Sequence, residues 1–417
     1  MNVSHKLHLT PFCFRTRCGQ AGLGLLAALL LWGSHGSASY AQRLDPNQLQ
    51  QFLSSPLVDR PRDPALPQPE VDRSLSPLEL YQLGETLDNL DARAQALLDS
   101  EEEGATDEAF ELWLREVRLR RVLGLEAELT ALERVIPVVW NNQRGPELQL
   151  LTQRLRVIWN NATQSEAIAV DVERLLALFI MVRDEAAVID ITQGLADQAA
   201  ARGDGVTQRQ HLADLGAAYL AWFEFDKAAG VYESLVADAA IRNSPAQERT
   251  LLAQLIYSYQ QNDRYAAAIP HQQRLLGLYR AADLADAEVP VGIAIARNYR
   301  AVADYPRAVE YYQLAYRTAQ QLQQYGYSSE VLQDLGDLYR DLGQLRDAIT
   351  IYNLLVRVEQ QSYNHYGILL AYDELGQIYT ALNELDNARV AFQAGLAFAE
   401  ALDYRQEYFQ AQLAALE

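Results

Sequence analysis

Apolar and polar positions repeat along the second half of the chain with a step of 40 residues. Tyr219, Tyr259, Tyr299, Tyr339 and Tyr379 keep this step, and so do Ala228, Ala268, Ala308, Ala348 and Ala388. Leu215, Leu255, Ile295, Leu335 and Leu375 precede the tyrosines by four residues, about one helical turn. Within residues 329–368, Val331, Leu335, Leu338, Tyr339 and Leu342 form one helical stripe, Gly343 interrupts it, and Leu345, Ala348, Ile349, Tyr352 and Leu355 form a second. The pattern predicts helix pairs near 209–242, 249–282, 289–324, 329–361 and 369–402, with the five tyrosines mostly buried. Gly336 and Ala348 are expected where the two helices of a pair touch, and Tyr339 and Tyr352 in the wider gaps toward neighbouring helices.

Self-similarity at a fixed period means one structural unit repeated and stacked. Stacked units present a long surface rather than a closed pocket, which favours binding over catalysis. The residues of the unit resemble the tetratricopeptide repeat. The match runs through Leu215-Gly216, Tyr219, Phe225, Ala228 and Tyr232 in the first unit and Leu335-Gly336, Tyr339, Leu345, Ala348 and Tyr352 in the fourth. Leu375-Gly376, Tyr379, Leu385, Ala388 and Phe392 repeat it in the fifth, whereas Gln272 stands where the second unit should have an aromatic residue. The step of 40 exceeds the family's 34 by six residues, and the closing proline is missing. Six residues amount to about 9 Å of helix, so longer helices or a longer inter-unit turn are expected. The resemblance implies an all-α, right-handed α-solenoid of stacked antiparallel helix pairs over residues 209–408, with a capping helix in 405–417.

Residues 1–41 read as a signal peptide: Lys6, Arg15 and Arg17 precede the apolar run Ala21–Trp32, and Ser39-Tyr40-Ala41 offers a small-residue cleavage site before Gln42. The run is too short to span a membrane, and Cys13 and Cys18 precede it, so neither a membrane span in the mature chain nor lipidation is expected. Residues 42–78 contain Pro56, Pro61, Pro64, Pro67, Pro69 and Pro77 and read as an extended linker without a packed helix. Residues 79–208 carry helical stripes without the signature and read as degenerate units of the same stack, with a separate helical domain as the alternative and Trp113, Trp140 and Trp159 in the core.

Charge narrows the function. The chain carries a net −20, and loss of the three leader cations takes it to −23, a balance that repels nucleic acid and anionic lipid. Both cysteines lie in the leader, so disulfides and thiolate metal sites are excluded from the mature protein. His211, His271 and His365 occupy different places in their units and are not expected to converge. No metalloprotease motif, phosphate loop or nucleophile with a recognisable base appears, so the chain is read as non-enzymatic, with no cofactor.

By resemblance, the first helix of each unit lines a peptide-binding groove. Its candidate contacts are Tyr257, Gln260, Arg297, Arg300, Gln333, Arg340 and Gln377. Arg297 and Arg300 lie one turn apart, and Arg340 is the equivalent of Arg300 one unit later; guanidinium groups so placed suit a carboxylate. Pairing of Arg340 with Asp337 on its own helix is the competing reading. The expected function is an exported scaffold in the periplasm or thylakoid lumen that binds a protein or peptide and assists complex assembly. The plan is also similar to cyanobacterial envelope proteins of the family that serve photosystem biogenesis, which makes an assembly factor linked to Mn or Ca the alternative. An enzyme with a site in 79–208 is a further one.

Overall fold

A computed structural model describes residues 44–59, 61–68, 73–100, 102–164 and 171–416. The leader, residues 1–41, lies outside them. The described residues form eighteen α-helices and two short 3-10 turns, an all-helical α-solenoid in which helices that follow one another within each unit pack in antiparallel pairs. Contacts divide the chain into two units, one ending at Glu224 and one running from Phe225.

The first unit holds α1 (Pro46–Leu53), α2 (Pro77–Leu98), α3 (Ala105–Arg120), α4 (Leu125–Asn141), α5 (Gly145–Gln164), α6 (Val172–Met181), α7 (Glu185–Ala201) and α8 (Gly205–Ala221). The second holds α9 (Phe225–Ile241), α10 (Pro245–Gln261), α11 (Tyr265–Ala281), α12 (Ala285–Ala301), α13 (Tyr305–Gln321), α14 (Tyr325–Asp341), α15 (Leu345–Gln361), α16 (His365–Ala381), α17 (Leu385–Ala401) and α18 (Gln406–Ala414).

From α8 to α17 every helix has 17 residues and every connection has three. The length beyond a 34-residue unit is therefore helix, not turn. The middle residue of each of these connections is left-handed: Phe223, Asn243, Asp263, Asp283, Ala303, Gln323, Gly343, Tyr363 and Asn383. This geometry closes the preceding helix with paired bonds. Glu224 N donates to Tyr219 O at 2.9 Å and Phe223 N to Leu220 O at 3.1 Å, the Schellman arrangement. Arg264, Asp304, Gln344 and Glu384 repeat the longer bond onto Tyr259, Tyr299, Tyr339 and Tyr379. Each first helix starts four residues before its expected position, because its opening turn lies outside the apolar stripe.

The recurring alanines and the residues from Leu215 to Leu375 are all buried. Tyr259 and Tyr299 are buried; Tyr219, Tyr339 and Tyr379 are half-buried. Gly336 has a different role from the one expected. A Cβ on Gly336 would lie 2.9 Å from Cζ of Tyr352, so the glycine makes room for that ring within its own helix pair. Tyr352 is accordingly fully buried rather than set in a gap between pairs. Gln272, in the corresponding place two units earlier, is buried and accepts from Asn298 Nδ2 at 2.9 Å, a polar pair in place of an aromatic.

In the first unit Phe110, Trp113, Leu132, Val135, Leu151 and Phe179 lie at the centre of the core. Trp113 is buried and donates to Asp91 at 2.7 Å, while Trp140 and Trp159 sit at the core's margin. The stretch read as an extended linker departs from expectation. Pro46 opens α1 and Pro56 opens a 3-10 turn, positions where a proline leaves no helical hydrogen bond unmade. Phe52 joins the core, and arginines fasten the segment from below. Arg115 donates to Asp63 at 2.6 Å, Arg118 to Asp59 at 2.8 Å, and Arg121 to the Phe52 carbonyl at 2.7 Å.

Candidate functional site

The first helices of successive units in the C-terminal half, α10, α12, α14 and α16, together with α18, are linked side chain to side chain. Gln260 on α10 donates to Asn298 on α12 at 3.2 Å. Arg297 on α12 spans to α14, holding Asp334 at 2.7 Å and Glu330 at 2.8 Å. Arg300 holds Asp341 at 2.5 Å. Arg340 on α14 pairs with Asp337 on its own helix at 2.9 Å and with Glu374 on α16. Arg405, just before α18, closes the series on Asp373 at 2.9 Å.

All three arginines singled out from sequence thus lie on one face, and each guanidinium already holds a carboxylate. Arg297 and Arg300 do not stand as an open pair; their carboxylates come from the next unit. The remaining candidates share the face. Gln333 donates to Asp337 at 3.3 Å, and Gln377 to Asp373 at 3.0 Å. Tyr257 is 45% exposed.

Sequence reasoning missed the acidic partners Glu330, Asp334, Asp341 and Glu374, and the tyrosines beneath them. Tyr352 donates to Asp337 at 2.8 Å, and Tyr408 to Asp373 at 2.7 Å. Burial raises the Tyr352 hydroxyl well above the usual phenol range, and the carboxylates of Glu374 and Asp337 push it further. Burial with Asp373 alongside carries Tyr408 up to about 12. Burial lowers the Arg297 guanidinium, but Asp334 and Glu330 outweigh that and leave it raised. Burial also raises the Glu374 carboxyl, against the opposing pull of Arg340. Both tyrosines therefore remain neutral donors, and Arg297 and Arg340, both raised, remain charged at physiological pH.

The face is an ion-pair ladder of partly exposed groups, suited to exchanging a bound carboxylate for an incoming one. The histidines are elsewhere and apart in role. His211 faces Asp214 at 3.9 Å, His271 stacks on Tyr259 at 5.7 Å, and His365 meets Phe398 at 5.6 Å. Among the described residues no three His, Cys, Asp or Glu side chains are grouped to hold a metal ion. Among them also no helix is long and apolar enough to cross a membrane.

No family profile and no curated protein matches the chain. Solved structures do. BtubC (BKLC) from P. vanneervenii is 17% identical, with 56% of this chain and 93% of that one covered and a TM-score of 0.37. The apo form of RapI is 13% identical over 68% of this chain and 79% of that one, with a TM-score of 0.42. A signal transduction ATPase with numerous domains and a tetratricopeptide repeat sensor, from Pyrococcus horikoshii, is 15% identical over 94% of this chain and 59% of that one, with a TM-score of 0.41.

Proposed function

We propose that this chain is an exported, non-catalytic repeat scaffold that binds a protein or peptide partner along the first-helix face and helps assemble or localise a complex. The ladder from Arg297 to Asp373 carries the reading. Its ion pairs are arranged at intervals set by the repeat, and they are partly exposed, with the Arg297 side chain at 48%. A partner carboxylate enters by taking Asp334's place on Arg297 or Asp341's place on Arg300. Tyr257, Gln260, Gln333, Arg340 and Gln377 supply polar contacts along the same face. Residues 79–208 read as degenerate units of the same kind. The basic start, apolar run and Ser39-Tyr40-Ala41 of the leader support export to the periplasm or thylakoid lumen, with a mature chain beginning at Gln42.

The test is capture of partners by the full chain and by the variant Arg297→Ala, Arg300→Ala, with hydrogen exchange of α12 and α14 as a control for local unfolding. A charge-assisted contact is worth about 1.5–3 kcal/mol, so loss of both should weaken retention at least about tenfold. Full retention by a variant with unchanged exchange would remove the first-helix face as the binding surface. N-terminal sequencing that finds Leu25–Leu30 still attached would remove the cleaved leader.

A further inference from the structure

A second feature lies where two second helices meet the first helix between them. Gln313, Tyr316 and Arg317 of α13, Leu332 and Leu335 of α14, and Ile351 and Leu354 of α15 line a cleft of about 260 Å³. Leu332 and Leu335 are buried and form its floor; Gln313 and Arg317 stand exposed at its rim. A cleft of this size is below the roughly 300–1,000 Å³ of small-molecule pockets and suits a single anchoring side chain.

The charges around it are unusual for this chain. Arg297, Arg300, Arg340 and Arg346 all hold carboxylates across the units. Arg317 makes no ion pair among the described residues, and the bond of Arg357 goes to the Asn353 carbonyl at 3.5 Å. The two arginines are 40 residues apart, at the same place in successive units, where the other units have Ala237, Gly277 and Ala397. Neutral Gln313, Gln320, Gln321, Asn353, Gln360 and Gln361 surround them in sequence. The nearest acid, Glu359, is buried and bonded by Ser329, Ser362 and Asn364. Tyr316 replaces the aliphatic Val236, Leu276, Val356 and Leu396 of the other units and brings a hydroxyl within electrostatic reach of Arg357. A chain of net charge −20 thus keeps Arg317 on the lining of this apolar cleft with no ion pair among the described residues, and Arg357 within electrostatic reach of the lining Tyr316.

We propose that this cleft is a second docking site, distinct from the first-helix face, for an acidic peptide segment. An aliphatic or aromatic side chain of the peptide fills the space over Leu332 and Leu335, and a neighbouring carboxylate lies between Arg317 and Arg357. Charge complementarity selects the ligand: guanidinium groups with no internal carboxylate bind an incoming one without first breaking a pair.

Fluorescence anisotropy of the full chain with a labelled Glu-Leu-Asp-Phe-Glu peptide tests this, against its Gln-Leu-Asn-Phe-Gln counterpart. The acidic probe should bind, more weakly as salt rises, and the neutral one should not. Arg317→Gln, Arg357→Gln should lower affinity at least about tenfold, and Leu354→Asn should weaken it as well. Arg242→Gln, which removes an arginine tied to Asp238 of α9 and placed in neither binding surface, should leave it within about twofold. No binding of the acidic probe, equal binding of the neutral one, or an unchanged affinity in the Arg317, Arg357 variant would overturn the proposal. So would an equal loss of binding in the Arg242 variant. Sedimentation with phosphatidylglycerol vesicles that depends on Arg317 and Arg357, in the absence of probe binding, would assign the arginines to a membrane surface instead.

Discussion

Gly376→Ala and Gly277→Ala make the same chemical change in two helices and should move stability in opposite directions. Both glycines lie inside helices, where alanine is favoured by about 1 kcal/mol. A Cβ on Gly277 meets nothing within 4 Å, so that variant should gain about 0.5–1 kcal/mol. A Cβ on Gly376 would lie 2.5, 2.6 and 2.7 Å from Cε1, Cδ1 and Cζ of Phe392. Phe392 is fully buried and meets Phe409 edge to face at 6.4 Å, so the ring has no free space to swing into. Overpacking of this kind costs about 1–3 kcal/mol, and three close ring atoms put the cost in the upper part of that range. The net effect should be a loss of about 1–2 kcal/mol. The third unit shows what a methyl needs: Ala296 and Tyr312, in the corresponding places, are both buried, so a helix pair built for the extra carbon accepts it. The cost in the fifth unit is therefore that of forcing α16 and α17 apart. Repeat arrays often unfold in more than one step, so the urea midpoint should be read together with hydrogen exchange of α16 and α17 amides. Adding Phe392→Leu should return part of the loss, with a coupling of about 1 kcal/mol. A Gly376→Ala variant as stable as Gly277→Ala, or strict additivity with Phe392→Leu, would refute the packing argument.

Two further outcomes are expected. Arg73, with the Ser76 backbone and hydroxyl, holds the Glu79 carboxyl at about 2 against an ordinary 4.5. A depressed carboxyl stabilises above its unfolded value and loses that contribution as pH falls through the folded one. Protection of the first turn of α2 should accordingly be full above about pH 4.5 and gone near pH 2 in a hydrogen-exchange series, and Glu79→Gln should abolish the dependence. Ala308→Leu places three extra carbons at a fully buried site and should destabilise by about 1–3 kcal/mol, read as a lower urea midpoint; an unchanged midpoint would mean the site has slack.

The parts of the fold legible in the sequence are those where packing leaves one solution. At Ala228, Ala268, Ala308, Ala348 and Ala388 a larger side chain has no room, so the residue type itself repeats. The helix connections were harder to read because they repeat as backbone geometry, not as residue type. Asn243, Asp263 and Asn383 suit a left-handed turn, whereas Ala303 and Tyr363 adopt it only because helices on both sides impose it. The segment before α2 was misread for a different reason. Proline was counted as a breaker, yet Asp45-Pro46, Ser55-Pro56 and Ser76-Pro77 each place a capping side chain before a proline at a helix start. That pairing was visible and signals three helical beginnings.

The arginines on the first-helix face were visible in the sequence; their partners were not, because the partners lie almost one period away. Arg297 reaches Asp334, Arg300 reaches Asp341 and Arg340 reaches Glu374, at separations of 37, 41 and 34 residues. Stacking sets this window. Successive first helices lie side by side, so a long side chain meets residues within about two turns of its own equivalent in the next unit. The window opened from Arg297, Arg300 or Arg340 contains a carboxylate in each case. Opened from Arg317 it covers residues 351–358, and from Arg357 it covers 391–398, and neither stretch holds an Asp or Glu. One rule, read from the period alone, thus divides these five arginines into three that tie units together and two left without a forward partner. A basic side chain kept unpaired at the same place in two adjacent units of an acidic chain contributes nothing to holding the stack together. That makes Arg317 and Arg357 the cleaner place to look for a ligand, since replacing them tests binding without also cutting an internal tie.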